Sequence, residues 1–106
     1  MILEITNSNF EELVLNSKLP MILTFYAPWC GSCKKIVKIV EKLQIENEGK
    51  FLFGMMNTAE NELISSTYSI RYVPSILVFK DEELVFKALG LDTEEKYREV
   101  INREFD

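Results

Sequence analysis

The chain contains no histidine. That absence removes the side chain most often used as a general base or metal ligand near neutral pH. Cysteine is almost missing as well. Two cysteines in 106 residues cannot staple a small fold with a disulfide framework, and they fall short of the four ligands a structural zinc needs. Basic residues are outnumbered, 12 Lys and Arg against 17 Asp and Glu, for a net charge of −5. Nucleic-acid binding calls for a basic face, so no nucleic-acid partner is expected. No apolar run approaches the ~20 residues of a membrane helix, so no membrane partner is expected either. Met1 to Thr6 lack a basic stretch followed by an apolar core, so a signal peptide is not expected. No linker, repeat or low-complexity tract interrupts the chain.

What remains is a composition that is 47% hydrophobic and 11% aromatic. It fits one domain spanning 1–106, and a chain of that size buries roughly 60–70% of its unfolded surface, enough for one core. The default setting is a cytoplasmic one. In a reducing cytosol, two closely spaced cysteines are read as catalytic rather than structural.

Those cysteines lie in Thr24-Phe25-Tyr26-Ala27-Pro28-Trp29-Cys30-Gly31-Ser32-Cys33-Lys34-Lys35. Met21 to Ala27 is short, apolar and aromatic, the pattern of a buried strand. Pro28 has no N–H to give and ends the pairing. Ile36, Val37, Val40 and Leu43 then follow helical spacing. The cysteines therefore fall where a strand ends and a helix begins. A helix start presents unpaired N–H groups and the positive end of the helix dipole, and both stabilise a thiolate. Residues three apart within a helical turn have Cβ atoms roughly 5–6 Å apart. A disulfide needs them closer, so Cys30 is expected at the cap, with the freer sulfur, and Cys33 inside the turn. Gly31 permits the tight approach. A metal reading survives only if two copies of the chain pool their thiols, and two buried small hydrophobes are the bland reading. Trp29, between Pro28 and an exposed cysteine, is expected as a surface ring beside the site. Lys34 and Lys35 are expected to be solvated.

Elsewhere, Leu3 to Thr6 reads as a short strand. Asn7, Ser8 and Asn9 offer cap oxygens to a helix of about two turns bearing Phe10, Leu13 and Val14. Ser17 to Pro20 breaks it. The cysteine helix should end near Glu48-Gly49. Phe51 to Met56 is a strand, and Asn57 and Thr58 then cap a helix over Ala59 to Tyr68. Ser75 to Lys80 and Leu84 to Leu89 form a hairpin about the acidic turn Asp81-Glu82-Glu83. A last helix starts at Asp92 or Thr93 and is lined by Tyr97, Val100, Ile101 and Phe105. This order predicts an α/β fold: a mixed central β-sheet flanked by helices on both faces, its strand order left open by periodicity alone.

The cysteine segment resembles the active-site segment of thioredoxins and of protein disulfide isomerase domains. Cys-x-x-Cys is a known thioredoxin-like redox motif with a lowered thiol pKa. The similarity extends over nearly the whole chain. Ile70-Arg71-Tyr72-Val73-Pro74-Ser75 is similar to the family's segment around its cis-proline, and Leu89-Gly90 to its loop glycine beside the active site. The resemblance implies the thioredoxin fold, a redox-active Cys30–Cys33 disulfide, and a cis Pro74 facing the cysteines. It also implies a docking surface of Trp29, Val73, Pro74 and Gly90. Five departures stand out. Thr24 occupies the place of the family's buried aspartate, and Met55 that of the lysine often paired with it. Ser32 replaces a proline between the cysteines, and Lys38 a helix-kinking one. Tyr72 replaces a small residue before Val73-Pro74.

The activity this implies is protein thiol–disulfide exchange through Cys-Gly-Ser-Cys, reducing substrate disulfides, with no cofactor and no metal. Partners would be disulfide-containing proteins and a recycling reductase of the thioredoxin-reductase type, with the chain itself a monomer. Two other readings stand beside it: a disulfide oxidase or isomerase, and a non-catalytic adaptor using the same groove.

Overall fold

The structure is a computed structural model that describes residues 2–90 and 93–105, with only the backbone of Phe105. The expected Asp92 cap and the side chain of Phe105 lie outside the described residues. The strands are β1 (Ile2–Glu4), β2 (Met21–Tyr26), β3 (Leu52–Asn57), β4 (Ser75–Lys80) and β5 (Glu83–Leu89). The helices are α1 (Cys33–Glu46), α2 (Glu62–Thr67) and α3 (Glu94–Phe105), preceded by a short π-helical turn at Glu11–Leu15.

The five strands lie in the order β1-β3-β2-β4-β5. The first three are parallel, while β4 runs antiparallel to β2 and β5 antiparallel to β4. This is the mixed sheet of the thioredoxin fold. Parallel neighbours need a crossover, which α1 supplies between β2 and β3, whereas β4 and β5 need only a tight hairpin. That hairpin turns on two residues, Asp81 and Glu82, both left-handed at φ 52° and 70°. Two left-handed residues match the right-handed twist of paired strands. Glu83, expected in the turn, instead pairs with Lys80.

Side chains alternate across the sheet, so β1 to β4 each feed two cores, while β5 adds Phe86 and Ala88 to one of them. One face collects Ile22, Phe53, Ile76 and Val78 beneath Ile36, Val40 and Leu43 of α1 and Tyr97, Val100 and Ile101 of α3. The other collects Leu23, Phe25, Met56, Leu77 and Phe79 beneath Phe10 and Val14, with Ile64 of α2 and its C-cap Tyr68 against it. Gly54 sits where β1, β2 and β3 crowd together. A Cβ there would come within 2.8 Å of Ile5 Cγ1 and 3.0 Å of Met21 Sδ, so any larger residue would have to displace those side chains.

Four local expectations are corrected. The first strand stops at Glu4. Asn7, Ser8 and Asn9 do not cap the helical turn that follows them. The Asn9 side chain instead accepts from Thr6 N–H and donates to the Glu4 carbonyl, pinning the loop to itself. Asn7 reaches 57 residues along the chain, and its Oδ1 accepts the Ile64 N–H at the start of α2 while Asn61 Oδ1 accepts the Asn7 N–H. Likewise, α2 starts at Glu62 rather than Ala59. Asn57 Oδ1 holds the Ala59 N–H, and Thr58 donates its N–H and hydroxyl to the Tyr26 carbonyl, so residues 58–61 form a turn tied to β2. Finally, α1 ends at Glu46, capped by Asn47, whose Nδ2 donates to the Leu43 carbonyl at 2.8 Å. Among the described residues, no helix is long and apolar enough to cross a membrane.

Candidate active site

The chain leaves β2 through buried Ala27 and folds back at once, with Cys30 N–H donating to the Ala27 carbonyl at 3.1 Å. This turn lifts Pro28 and Trp29 out of the sheet, leaving Trp29 73% exposed. Cys30 is half-buried, Gly31 and Ser32 are exposed, and Cys33 is 4% exposed as the first residue of α1. The two cysteines are joined in a disulfide with their Cα atoms 5.3 Å apart. Ser32 rather than Cys30 is the residue before the helix, so Cys30 sits one turn outside it. The asymmetry expected from the spacing is present: the outer sulfur is accessible and the inner one is covered.

The sheet delivers the rest of the site. Ser75 at the start of β4 is opposite Phe25 on one side and Leu89 on the other. That register carries Pro74 and Gly90 to the same end of the sheet as Tyr26 and Ala27. The Val73–Pro74 peptide bond is cis. Ser75 Oγ donates to the Tyr72 carbonyl and folds the approach to it. The Val73 carbonyl oxygen lies 3.8 Å from Cys30 Sγ. Pro74 is buried and Val73 half-buried, while Tyr72 is 64% exposed and Gly90 is exposed with a left-handed backbone. The fold thus gathers Trp29, Cys30, Cys33, Val73, Pro74 and Gly90 at one end, from three separate stretches of sequence. Among the described residues, no group of three acidic, cysteine or histidine side chains is arranged to hold a metal.

Two contacts here were not anticipated. Ser32 Oγ lies 3.4 Å from Cys30 Sγ, so the residue in the family's proline position offers a hydroxyl to the outer sulfur. Beneath the site, Thr24 Oγ1 and Tyr97 OH are hydrogen-bonded at 2.9 Å, both fully buried. Burial pushes the Tyr97 phenol far above its usual range, with the Thr24 hydrogen bond pulling slightly the other way. Met55, the register partner of Thr24, is buried and brings no charge. The signal for this pair was a threonine in an apolar strand and a tyrosine on the inner stripe of a helix, since buried Tyr hydroxyls usually find partners.

A mixed five-stranded sheet with a Cys-x-x-Cys disulfide at the start of its first long helix defines a protein-disulfide oxidoreductase scaffold. Comparison with known proteins agrees. A sequence model of the thioredoxin family matches residues 1–103. The chain is 36% identical over 101 residues to a thioredoxin of Buchnera aphidicola, covering 95% of this chain and 94% of the relative. It is 37% identical over 99 residues to one of Rickettsia felis, covering 93% and 94%, and 36% identical over 87 residues to thioredoxin 1 of a Nostoc species, covering 82% and 81%. The chain belongs to the thioredoxin family and is a thiol–disulfide oxidoreductase.

Proposed function

We propose that this chain reduces disulfides in substrate proteins, with Cys30 as attacking thiol and Cys33 as resolving thiol. The Cys30 thiolate attacks one sulfur of the substrate disulfide. A Cys30–substrate bond forms, and the other substrate sulfur leaves as thiolate and takes a proton from solvent. Cys33 loses its proton and attacks Cys30 Sγ. The Cys30–Cys33 bond forms, the mixed disulfide breaks, and the second substrate thiolate departs. Two electrons have moved from the chain to the substrate. A thioredoxin-reductase-type partner returns them, in a cytoplasmic setting that keeps the pair reduced. A monomer suffices, because every group in this scheme comes from one chain.

The observation that carries this reading is the difference in exposure of the two sulfurs. Cys30 is half-buried, faces the Val73 carbonyl and is flanked by exposed Trp29 and Tyr72, whereas Cys33 is covered. An extended substrate could pair with the Val73 backbone as an added strand, its side chains against Trp29, Pro74 and Gly90. Alkylating the reduced protein with limiting reagent should label Cys30 first. Cys33→Ser should accumulate a mixed disulfide with a protein substrate, and Cys30→Ser should be inert. Preferential labelling of Cys33 would reverse the roles. No turnover of an insulin-type substrate would favour the adaptor reading.

One contact favours a second reading, as oxidase or isomerase. A hydroxyl at 3.4 Å can stabilise the Cys30 thiolate, and stabilising the reduced form makes the pair more oxidising. A redox titration against glutathione separates the two, because Ser32→Ala should lower the potential if that hydrogen bond matters.

A further inference from the structure

Each buried hydroxyl of the Thr24–Tyr97 pair carries one proton, and the bond between them uses only one of the two. Neither hydroxyl has another hydrogen-bond partner among the described residues. One O–H donor is therefore left over in an otherwise apolar layer, and an unused buried donor is unfavourable. What it lacks is an acceptor.

The layer also contains the resolving cysteine. Ile22 and Thr24 alternate toward the face covered by α1 and α3. Cys33, Ile36, Val40 and Leu43 form the buried stripe of α1. Ile36, one turn beyond Cys33, lies in one cluster with Tyr97 and with Ile76, which is the register partner of Thr24. Cys33 therefore heads the stripe that covers the hydroxyl pair. In the disulfide its sulfur is bonded to Cys30. Once the disulfide opens, that side chain is free to turn inward, and as a thiolate it is a charged acceptor.

We propose that Thr24 and Tyr97 are positioning residues for the resolving step: Tyr97 O–H donates to Thr24 Oγ1, and Thr24 O–H donates to the Cys33 thiolate. This rests on the assignment of Cys33 as resolving thiol. The pair keeps both of its protons. The Cys33 proton leaves to solvent, Cys33 Sγ attacks Cys30 Sγ, and the substrate sulfur departs with the electron pair. A donated hydrogen bond favours the charged form, so the Cys33 thiol is held lower than in an apolar pocket. A chain of two hydroxyls polarises the inner one and strengthens its bond to sulfur.

Few other groups could produce such an effect. On α1, Lys34, Lys35 and Lys38 are exposed. On α3, Glu94 and Arg98 are committed to each other and to Lys42 and Glu46 at the surface. β3 and β4 present Met55 and Ile76, which are neutral. Tyr26 of β2 is bonded to Glu4 of β1, and Glu41 lies across the same open groove. Among the described residues, Cys33 and Tyr97 are the buried titratable groups of this layer.

The test is the pH profile of resolution. Cys30 of the reduced full chain is first converted to a mixed disulfide with an aryl disulfide whose coloured thiol is released when Cys33 attacks. Thr24→Val keeps the shape and removes the hydroxyl, and should move the midpoint of the release rate upward by about one pH unit. Tyr97→Phe should shift it the same way by less, and Thr24→Ser should restore the wild-type midpoint. The pKa of Cys33, read from its 13Cβ shift in Cys30→Ser, should rise in parallel. Loss of packing alone changes stability without moving these midpoints. Unchanged midpoints in folded Thr24→Val and Tyr97→Phe would overturn the inference. If wild type itself releases no second thiol at any pH, the resolving role of Cys33 fails instead.

Discussion

On the α2 side of the sheet, Phe10, Tyr68 and Phe79 meet at ring distances of 5.5–5.7 Å, two of the three contacts edge-on. The cluster beneath them runs from Ile5 and Met21 through Phe25 to Leu77, and the polar side chains buried at its edge, Asn61, Ser65 and Ser75, each donate to a nearby backbone carbonyl. On the α1–α3 side the same strands meet a similar amount of apolar packing, with a hydrogen-bonded threonine and tyrosine set into it. Edge-to-face rings are worth about 0.5–1.5 kcal/mol beyond their buried area, and they ask for nothing except shape. A buried hydroxyl pair costs desolvation and returns about as much in its bond, so packing gives little reason to place one there. On the proposal above, the two faces do different work: the ring-lined one holds the sheet together, and the other is arranged around the covered cysteine at its end.

The strongest way to break this comparison is to put a full charge on the hydroxyl face. Thr24→Asp would bury a carboxylate beside neutral Met55, its register partner. Burial of that kind raises a carboxyl pKa by up to 3–5 units, and at pH 7, about three units above the unfolded value, the lost stability is about 4 kcal/mol. The sign follows from the direction. A group whose folded pKa is raised imposes no penalty below its unfolded pKa near 4, and the penalty grows as pH rises. Urea unfolding should therefore find the variant close to wild type at pH 4 and much weaker at pH 7. Adding Met55→Lys should recover part of the loss, because it supplies a partner on the adjacent strand. The charge should also push the Cys33 thiol upward. A variant as stable at pH 7 as at pH 4 would mean that this layer admits water.

The ring-lined face should respond to volume instead. Phe79 is 2% exposed and touches two other rings edge-on. Phe79→Ala should cost about 3–5 kcal/mol, with the same loss at pH 4 and pH 7. In the fraction that remains folded, the pH profile of the thiols should be that of wild type. A shifted profile would mean that the two faces are coupled through the sheet, and their division of labour would fall.

The comparison also explains what the sequence disclosed. Runs such as Met21–Ala27 and Ser75–Lys80 are legible because burial on both faces selects unbroken apolar strands. The cysteines are legible because strand end, turn and helix start lie within a dozen residues. What escaped was non-local. Asn7 looks like a cap for the helix beside it, yet it serves α2, 57 residues on. Thr24 and Tyr97 are 73 residues apart, and no spacing rule joins them. The π-helical turn at Glu11–Leu15 was also missed, since Phe10, Leu13 and Val14 fit an ordinary helix equally well. The cis bond at Pro74 and the place of Gly90 came from the family resemblance; periodicity gave neither.

The smallest expected effect lies where the hydroxyl face opens to solvent. Tyr26 follows Thr24 on the same side of β2, half-buried, and its hydroxyl donates to Glu4 Oε1 at 3.1 Å. Its phenol is pushed up to about 12, first by burial and then by the charge and hydrogen bond of Glu4. Raised folded pKa values contribute stability that is complete below the unfolded value near 10 and lost as pH rises through the folded one. Alkaline titration followed by tyrosinate absorbance should therefore show Tyr26 ionising late, with stability declining between about pH 10 and 12. Glu4→Gln removes the charge while leaving a hydrogen-bond acceptor. It should bring the Tyr26 midpoint down only part of the way, because burial is the larger cause. Tyr97, higher still, should ionise only as the protein unfolds. If Glu4→Gln returned Tyr26 fully to the ordinary tyrosine range, the nearby charge would outweigh burial there, and this end of the layer would behave as solvent.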